Sequence, residues 1–218
     1  MAMTLYSGPL SMFGAKAEIA ALEKGLDCTR EFVPFSIATL YEPKHPVVAR
    51  VNPKQQVPLL VDGDLELYDS TQLFEYFEDV APSPALWPKD ARARARARLL
   101  ELESDEVFFP HVITLMPRAR AAAGDDGLRA AIDAIHAFYA RTDARLAGRD
   151  YLAGDFTYAD IALFMASFFA SFLGQPPAAE HANIAAWRKR VGARDSVRRV
   201  AGAMHDYLAG YGIESPVP

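Results

Sequence analysis

One cysteine, Cys28, occurs in 218 residues, so no internal disulfide can form and a zinc site built on paired cysteines is excluded. A reducing compartment, by default the cytoplasm, suits such a chain. Long hydrophobic runs are also missing. The longest strongly apolar stretch, Ile161 to Leu173, falls short of the roughly 20 residues of a membrane-spanning helix. The first residues do not read as a basic-then-apolar leader, and no membrane partner is expected. Positive charge is not in surplus: Lys and Arg number 23 against 28 Asp and Glu, a net charge of -5. Nucleic acid is therefore not an expected partner, because no overall basic excess exists to release counterions. The GxGxxG, Walker, HExxH and GxSxG signatures are absent, and the functions they announce lose their simplest support. His45, His111, His136, His181 and His205 are scattered without ligand spacing, so no metal site is expected.

What is present is a globular composition, 51% hydrophobic and 23% charged, in a chain longer than a usual domain of roughly 100 to 150 residues. The pattern changes near residue 85. Before it, short β-type runs at Met3 to Tyr6, Arg30 to Pro34, Leu59 to Val61 and Glu66 to Tyr68 alternate with helical patterns over Phe13 to Lys24 and Ser70 to about Asp79. That order is βαβ followed by ββα. Asp62-Gly63 between the last two strands is a tight-turn signal and predicts an antiparallel hairpin. Pro82, Pro84 and Pro88 mark a linker over residues 81–90. It separates an expected α/β domain, residues 1–80, from an all-helical domain, residues 91–218.

In the second half, the Ala-Arg alternation from Ala91 to Arg98 consists of helix formers and predicts one long helix ending near Pro117. A polar, glycine-containing loop is expected over Arg118 to Gly127, then a helix from Leu128 to Leu146 capped by Gly148, and two more after Asn183 and Ser196. Thr157 and Asp160 have the spacing of a capping box, with Phe156 and Ile161 placed as a staple. The helix they start is apolar almost all round, as the central helix of a bundle must be. Glu101, Glu103, Asp105 and Glu106 form an acidic cluster, read as a solvated face paired with nearby Arg.

Three small features in the first 80 residues could carry chemistry, although a cap or a turn explains each one alone. Ser11 precedes a helix, where a hydroxyl can cap amides or meet an anion. Residues Asn52 to Pro58 lead into a strand. Asp69 and Ser70 open the next helix.

Taken in order, LYSGPLS at Leu5 to Ser11, KGL at Lys24 to Leu26, NPKQQVPLL at Asn52 to Leu60, YDS at Tyr68 to Ser70 and TYADIALF at Thr157 to Phe164 resemble the cytosolic glutathione transferase family. The resemblance covers nearly the whole chain. It implies a thioredoxin-like N-terminal domain, an all-helical C-terminal domain, and glutathione as co-substrate without a metal. Ser11 matches the catalytic serine of the theta-like, phi-like and zeta-like branches, whose hydroxyl donates to the glutathione sulfur; a donor and a helix N-terminus both favour the thiolate. The resemblance assigns glutathione contacts to Phe13, Lys44, Gln56, Val57, Pro58, Asp69 and Ser70. Val57 precedes the family's cis-proline, Pro58, and pairs with the cysteinyl backbone. Asp69 and Ser70 receive the γ-glutamyl end, and Lys44 and Gln56 the glycyl carboxylate. The electrophile's wall falls on Phe108, Phe109, Val112, Leu115 and Met116, most of which are also expected to pack in the core. A cytoplasmic homodimer active in detoxification follows from the same likeness.

Two departures stand out. Glu18 occupies a position where many relatives have Arg, and Asp69 is one methylene shorter than the commoner Glu or Gln. No cysteine stands at position 11, which argues against mixed-disulfide chemistry, and Cys28 is expected to pack. Glutathione-dependent isomerisation or dehalogenation, and a non-catalytic binding role such as attachment to RNA polymerase, stay open as alternatives; the electrophile itself is not readable.

Overall fold

A computed structural model describes the protein over residues 3–215; the outermost residues of the two expected domains, 1–2 and 216–218, lie outside the described residues. Four strands, β1 (Met3–Ser7), β2 (Cys28–Phe32), β3 (Leu59–Asp62) and β4 (Leu65–Tyr68), form one sheet in the order β2-β1-β3-β4. Only β1 and β2 run parallel. A parallel pair needs a crossover, and α1 (Met12–Glu23) supplies it. The hairpin forms as the Asp-Gly signal implies: Asp62 pairs with Leu65, and Gly63 takes φ 63, a left-handed value that glycine adopts without strain.

Helix α1 is buried on nearly all sides, from Met12 to Ala21 apart from Phe13. Its small residues Ala15, Ala17, Ala20 and Ala21 let neighbours approach closely. It packs against β1, against α3 (Ser70–Val80) and against two helices of the second half. A short helix, α2 (Pro46–Val51), lies in the β2–β3 connection. At six residues it is too brief to show a helical period in sequence.

Residues 81–90 carry no helix or strand. Beyond them stand α4 (Ala91–Leu102), a π-helical turn (Glu103–Phe108), α5 (Phe109–Thr114), α6 (Pro117–Leu146), α7 (Tyr158–Phe172), α8 (Ala182–Gly192) and α9 (Asp195–Ala209). The expected single helix from Ala91 to Pro117 is thus interrupted by the π turn. Pro117 starts the next helix instead of ending the previous one, at a position where its missing amide is not needed. The expected loop over Arg118 to Gly127 is also helical. Its Ala and Arg residues outweigh its glycines, and the glycine signal survives as a kink at Gly124 (φ 68, ψ -177). Among the described residues no helix is long and apolar enough to cross a membrane.

The apolar α7 is the buried centre of the helical half, as its composition implies, and its start is fixed by one carboxylate. Asp160, fully buried, accepts hydrogen bonds from Thr157 N (2.9 Å), Thr157 Oγ1 (3.2 Å), Leu152 N (3.0 Å) and Trp187 Nε1 (2.8 Å). Phe156, expected as a staple, lies against Tyr151 and the Arg194 guanidinium. Asp160 therefore joins the loop before α7, its first turn and α8. Asp160→Ala strands these donors in the interior and is expected to lower stability by about 3–5 kcal/mol, read from chemical denaturation.

Candidate functional site

Two adjoining cavities, about 340 and 280 Å³, share Phe13, Gln56 and Val57 in their walls. The larger is mostly apolar and holds Ser11 and Lys44. The smaller is polar and holds Pro58, Asp69, Ser70 and Thr71. Ser11, Phe13, Lys44, Gln56, Val57, Pro58, Asp69 and Ser70, scattered over 60 residues of sequence, all fall in this one paired cleft.

Each end of the cleft is built on a helix N-terminus. Ser11 is the N-cap of α1, with its Oγ accepting from Gly14 N at 2.9 Å. Gly14 is glycine for a packing reason: a Cβ there would come within 2.3 Å of Ser7 Oγ and 3.0 Å of Ser11 Oγ. Asp69 is the N-cap of α3 and accepts from Thr71 N (3.1 Å) and Gln72 N (3.3 Å). Its φ of 81 is a strained value for a residue with a side chain, costing about 1–3 kcal/mol. Ser70 behind it is buried, and its carbonyl accepts from Tyr158 Oη at 3.0 Å. Val57 and Pro58, joined by a cis peptide bond, precede β3, and neither belongs to its ladders with β1 and β4. Helix N-termini attract negative charge through their free amides and dipole, so the cleft offers two anion-favouring ends joined by backbone outside the sheet.

The chain is similar to known proteins over most of its length. Residues 5–85 match the glutathione S-transferase N-terminal domain and residues 106–195 the glutathione S-transferase C-terminal domain. Glutathione S-transferase 3 of Zea mays is 31% identical over 218 aligned residues, covering 93% of this chain and 94% of that one. The chain belongs to the cytosolic glutathione transferase family. A crystal structure of a glutathione S-transferase from Rhodospirillum rubrum F11 shares the fold, with a TM-score of 0.77 at 27% identity over 91% of each chain. A stringent starvation protein A homolog of Coxiella burnetii is 35% identical over 109 residues, 49% of this chain and 48% of its own length. The chain thus spans about half of that relative.

Against the family pattern, the Glu18 departure has a structural partner. Ser7 Oγ donates to Glu18 Oε1 (2.5 Å) and Arg30 Nη1 to Glu18 Oε2 (2.9 Å), so the guanidinium comes from β2 and the carboxylate from α1. Cys28, half-buried, lines neither half of the cleft, and burial pushes its thiol up to about 11, where it is no nucleophile.

Of the five residues expected to wall an electrophile site, only Phe109 and Met116 line the larger cavity, joined by Ile113 and Phe169. Phe108, Val112 and Leu115 are core residues; Phe108 packs on Phe138 and Tyr139, with ring centroids 4.7 and 5.2 Å away. The cavity face of the helix is therefore the neighbouring one, a residue further on, while the most apolar face goes to the bundle.

The acidic cluster is also corrected. Glu103 pairs with Arg145 and Glu106 is exposed, but Glu101 and Asp105 are turned inward and line the smaller cavity. Both meet the fully buried Lys16 of α1: Nζ lies 2.8 Å from Glu101 Oε1 and also bonds Asp105 Oδ2. Thr71 Oγ1 donates to Glu101 Oε1 at 2.6 Å, and the Tyr158 ring lies under the ammonium, 5.0 Å from its centroid. Asp105 Oδ1 has no hydrogen-bond partner among the described residues. A lone Lys inside the apolar α1 was the available sequence signal, since a buried ammonium requires an anion.

Two carboxylates share one cation, and Asp105 takes the consequence: burial pushes it up to about 6, with Lys16 pulling down and Glu101 pushing up. For Lys16 burial opposes the charge, but Tyr158, Asp105 and Glu101 outweigh it and hold the ammonium above its usual range. Because the folded chain holds the Asp105 proton more tightly than the unfolded chain, this carboxyl's contribution to stability is fully present below about pH 4 and is lost as pH rises through about 6. Asp105→Asn is expected to flatten that slope and to leave stability at pH 7 equal or higher. Lys16→Met, which leaves two buried carboxylates unpaired, is expected to cost about 3–5 kcal/mol at pH 7. Urea denaturation of both variants from pH 4 to 7 checks the pair.

Proposed function

We propose that the protein is a serine-type glutathione transferase that joins the glutathione sulfur to a small hydrophobic electrophile. The observation that carries this reading is the cleft itself: a hydroxyl at the N-terminus of α1 opens on the apolar cavity, and the N-terminus of α3 opens on the polar one, with Gln56 and Val57 shared between them. A tripeptide with an acidic γ-glutamyl end and a thiol at its centre fits that division. Its γ-glutamyl carboxylate goes to Ser70 at the positive end of α3, where Thr71 N and Gln72 N are already bonded to Asp69, and its ammonium to the acidic side formed by Asp69, Glu101 and Asp105. Val57 offers free backbone groups to the cysteinyl residue. Lys44, with Nζ 3.2 Å from Glu42 Oε1, and Gln56 are the candidates for the glycyl carboxylate.

The thiol loses its proton to solvent, and the thiolate is held by the Ser11 O–H and the positive end of α1. Sulfur then forms a bond to the electrophilic carbon, whose leaving group departs with the bonding electrons or whose conjugated acceptor takes them up. Phe109, Ile113, Met116 and Phe169 form the apolar wall against which such a carbon skeleton packs. Positioning and thiolate stabilisation supply the rate gain.

The exposed Leu99 and Leu102 of α4, with Leu65 and Tyr68 of β4, are apolar surface for a homodimer. The proline-rich residues 81–90 form the domain boundary, and the cytoplasm is the compartment that suits a chain with one cysteine. A non-catalytic binding role is the second reading, because the Coxiella burnetii relative is a stringent starvation protein homolog.

One titration separates the two. Calorimetry with reduced glutathione is expected to show binding to the wild type, and Ser11→Ala is expected to bind within a few-fold of it while losing roughly 10²-fold in conjugation kcat, the usual size for one lost donor to a developing or fixed anion. The pH profile of kcat/KM moves to higher pH in the variant, because a lost donor raises the thiol pKa. A wild type that does not bind at millimolar glutathione would favour the binding-protein reading.

A further inference from the structure

A second hydroxyl shares the larger cavity with Ser11. Tyr41, in the connection between β2 and α2, lines the same cavity, and its Oη is buried with no hydrogen-bond partner among the described residues. Buried hydroxyls are nearly always paired, so this one calls for an acceptor. The ring is held on two sides. One edge lies on Gly8, where a Cβ would come 2.3 Å from Cε1 and 2.6 Å from Oη. The ring also meets Phe35, at a centroid distance of 4.7 Å, and Phe35 meets Tyr207 of α9 at 5.9 Å. Gly8 is three residues before Ser11 in the β1–α1 turn, which brings the phenol to the first turn of α1. Burial raises the phenol's pKa, and the Leu10 amide and Ser11 hydroxyl act on it in the opposite direction. Tyr41 thus keeps its O–H at neutral pH, in the cavity that Leu10 and Ser11 also line.

Ser11 Oγ has spare capacity. A hydroxyl oxygen accepts two hydrogen bonds and donates one. Ser11 accepts one, from Gly14 N. We propose that Tyr41 is a positioning residue for Ser11, donating its O–H to Ser11 Oγ when the serine hydrogen is turned to the glutathione sulfur. This rests on the glutathione reading above. With Gly14 and Tyr41 both donating to it, Ser11 Oγ is filled on its acceptor side and its own hydrogen can point only outward. Each accepted bond polarises the O–H and strengthens its donation to the thiolate. The Gly8 backbone and the Phe35–Tyr207 contact keep the phenol at that place, so α9 supports the thiolate site without touching the ligand.

Tyr41→Phe removes one oxygen and keeps the ring between Gly8 and Phe35. The readout is the ionisation of bound glutathione, followed against pH by the ultraviolet absorption of the thiolate. The variant is expected to bind glutathione as the wild type does, to hold about 2–4-fold less of it as thiolate below the pKa, and to lose conjugation kcat/KM by the same factor. In a Ser11→Ala background the substitution should add nothing. Gly8→Ala, whose methyl takes the place of the ring edge, should reproduce the shift. If the wild type binds glutathione and lowers its thiol pKa while Tyr41→Phe does so equally well, the positioning role is overturned and the transferase reading stands. If the wild type forms no thiolate complex, both are overturned.

Discussion

The structure turns on one buried ammonium. Lys16 sits in the middle of α1, out of contact with water, and its partners Glu101 and Asp105 come from the helical half, 85 and 89 residues away. A charge so placed cannot tolerate a gap, because an unpaired ion in the interior costs several kcal/mol. The two domains are therefore held at one depth and one rotation. Apolar contact around the ion supplies the adhesion: Tyr158 stacks on Phe74 with centroids 3.9 Å apart, and Trp87 meets both edge-on. The ion pair contributes register more than energy, since apolar residues of similar volume could fill the same space at no loss.

That register is what makes the cleft. Ser11 opens the same helix that carries Lys16, so locking α1 against α4 and the π turn also fixes the distance from Ser11 to Phe109 and Met116 beyond it. Thr71 extends the lock to α3, because its hydroxyl donates to the same Glu101 oxygen that Lys16 grips. Both anion-favouring helix ends are thus tied to one carboxylate. The π turn has a part here as well. Glu101 stands at the end of α4 and Asp105 within the π turn, and both reach the same ammonium and the same cavity wall. Such turns are rare and recur at functional sites.

Much of this was legible in the residues, and the failures are instructive. The βαβ and ββα order, the Gly63 hairpin, the apolar α7 and the Thr157–Asp160 cap are local signals, and local chemistry decided them. The short α2 left no period to detect. The segment from Arg118 to Gly127 was ambiguous because glycine and aspartate compete there with strong helix formers; the helix won and bent at Gly124. In the wall of the cleft, helix-forming residues announce a helix but neither its π turn nor the face that meets the other domain, so Phe108, Val112 and Leu115 went to the core while Ile113 and Phe169 came to the cavity. Tyr41, Glu101 and Asp105 depend on contacts between distant segments, which no window of sequence contains. Lys16 did leave a local signal, a lysine inside an apolar helix, which the sequence reading passed over and whose partners lie 85 and 89 residues away.

The central claim is that the two helix N-termini set by this docking hold the thiolate and the γ-glutamyl carboxylate of one glutathione molecule. A crystal structure of the protein with glutathione tests it most directly. The account predicts the sulfur within hydrogen-bonding distance of Ser11 Oγ, and the γ-glutamyl carboxylate on Ser70 at the N-terminus of α3 with its ammonium toward Asp69 and Asp105. A ligand bound elsewhere, or one whose sulfur faces away from Ser11, would contradict it.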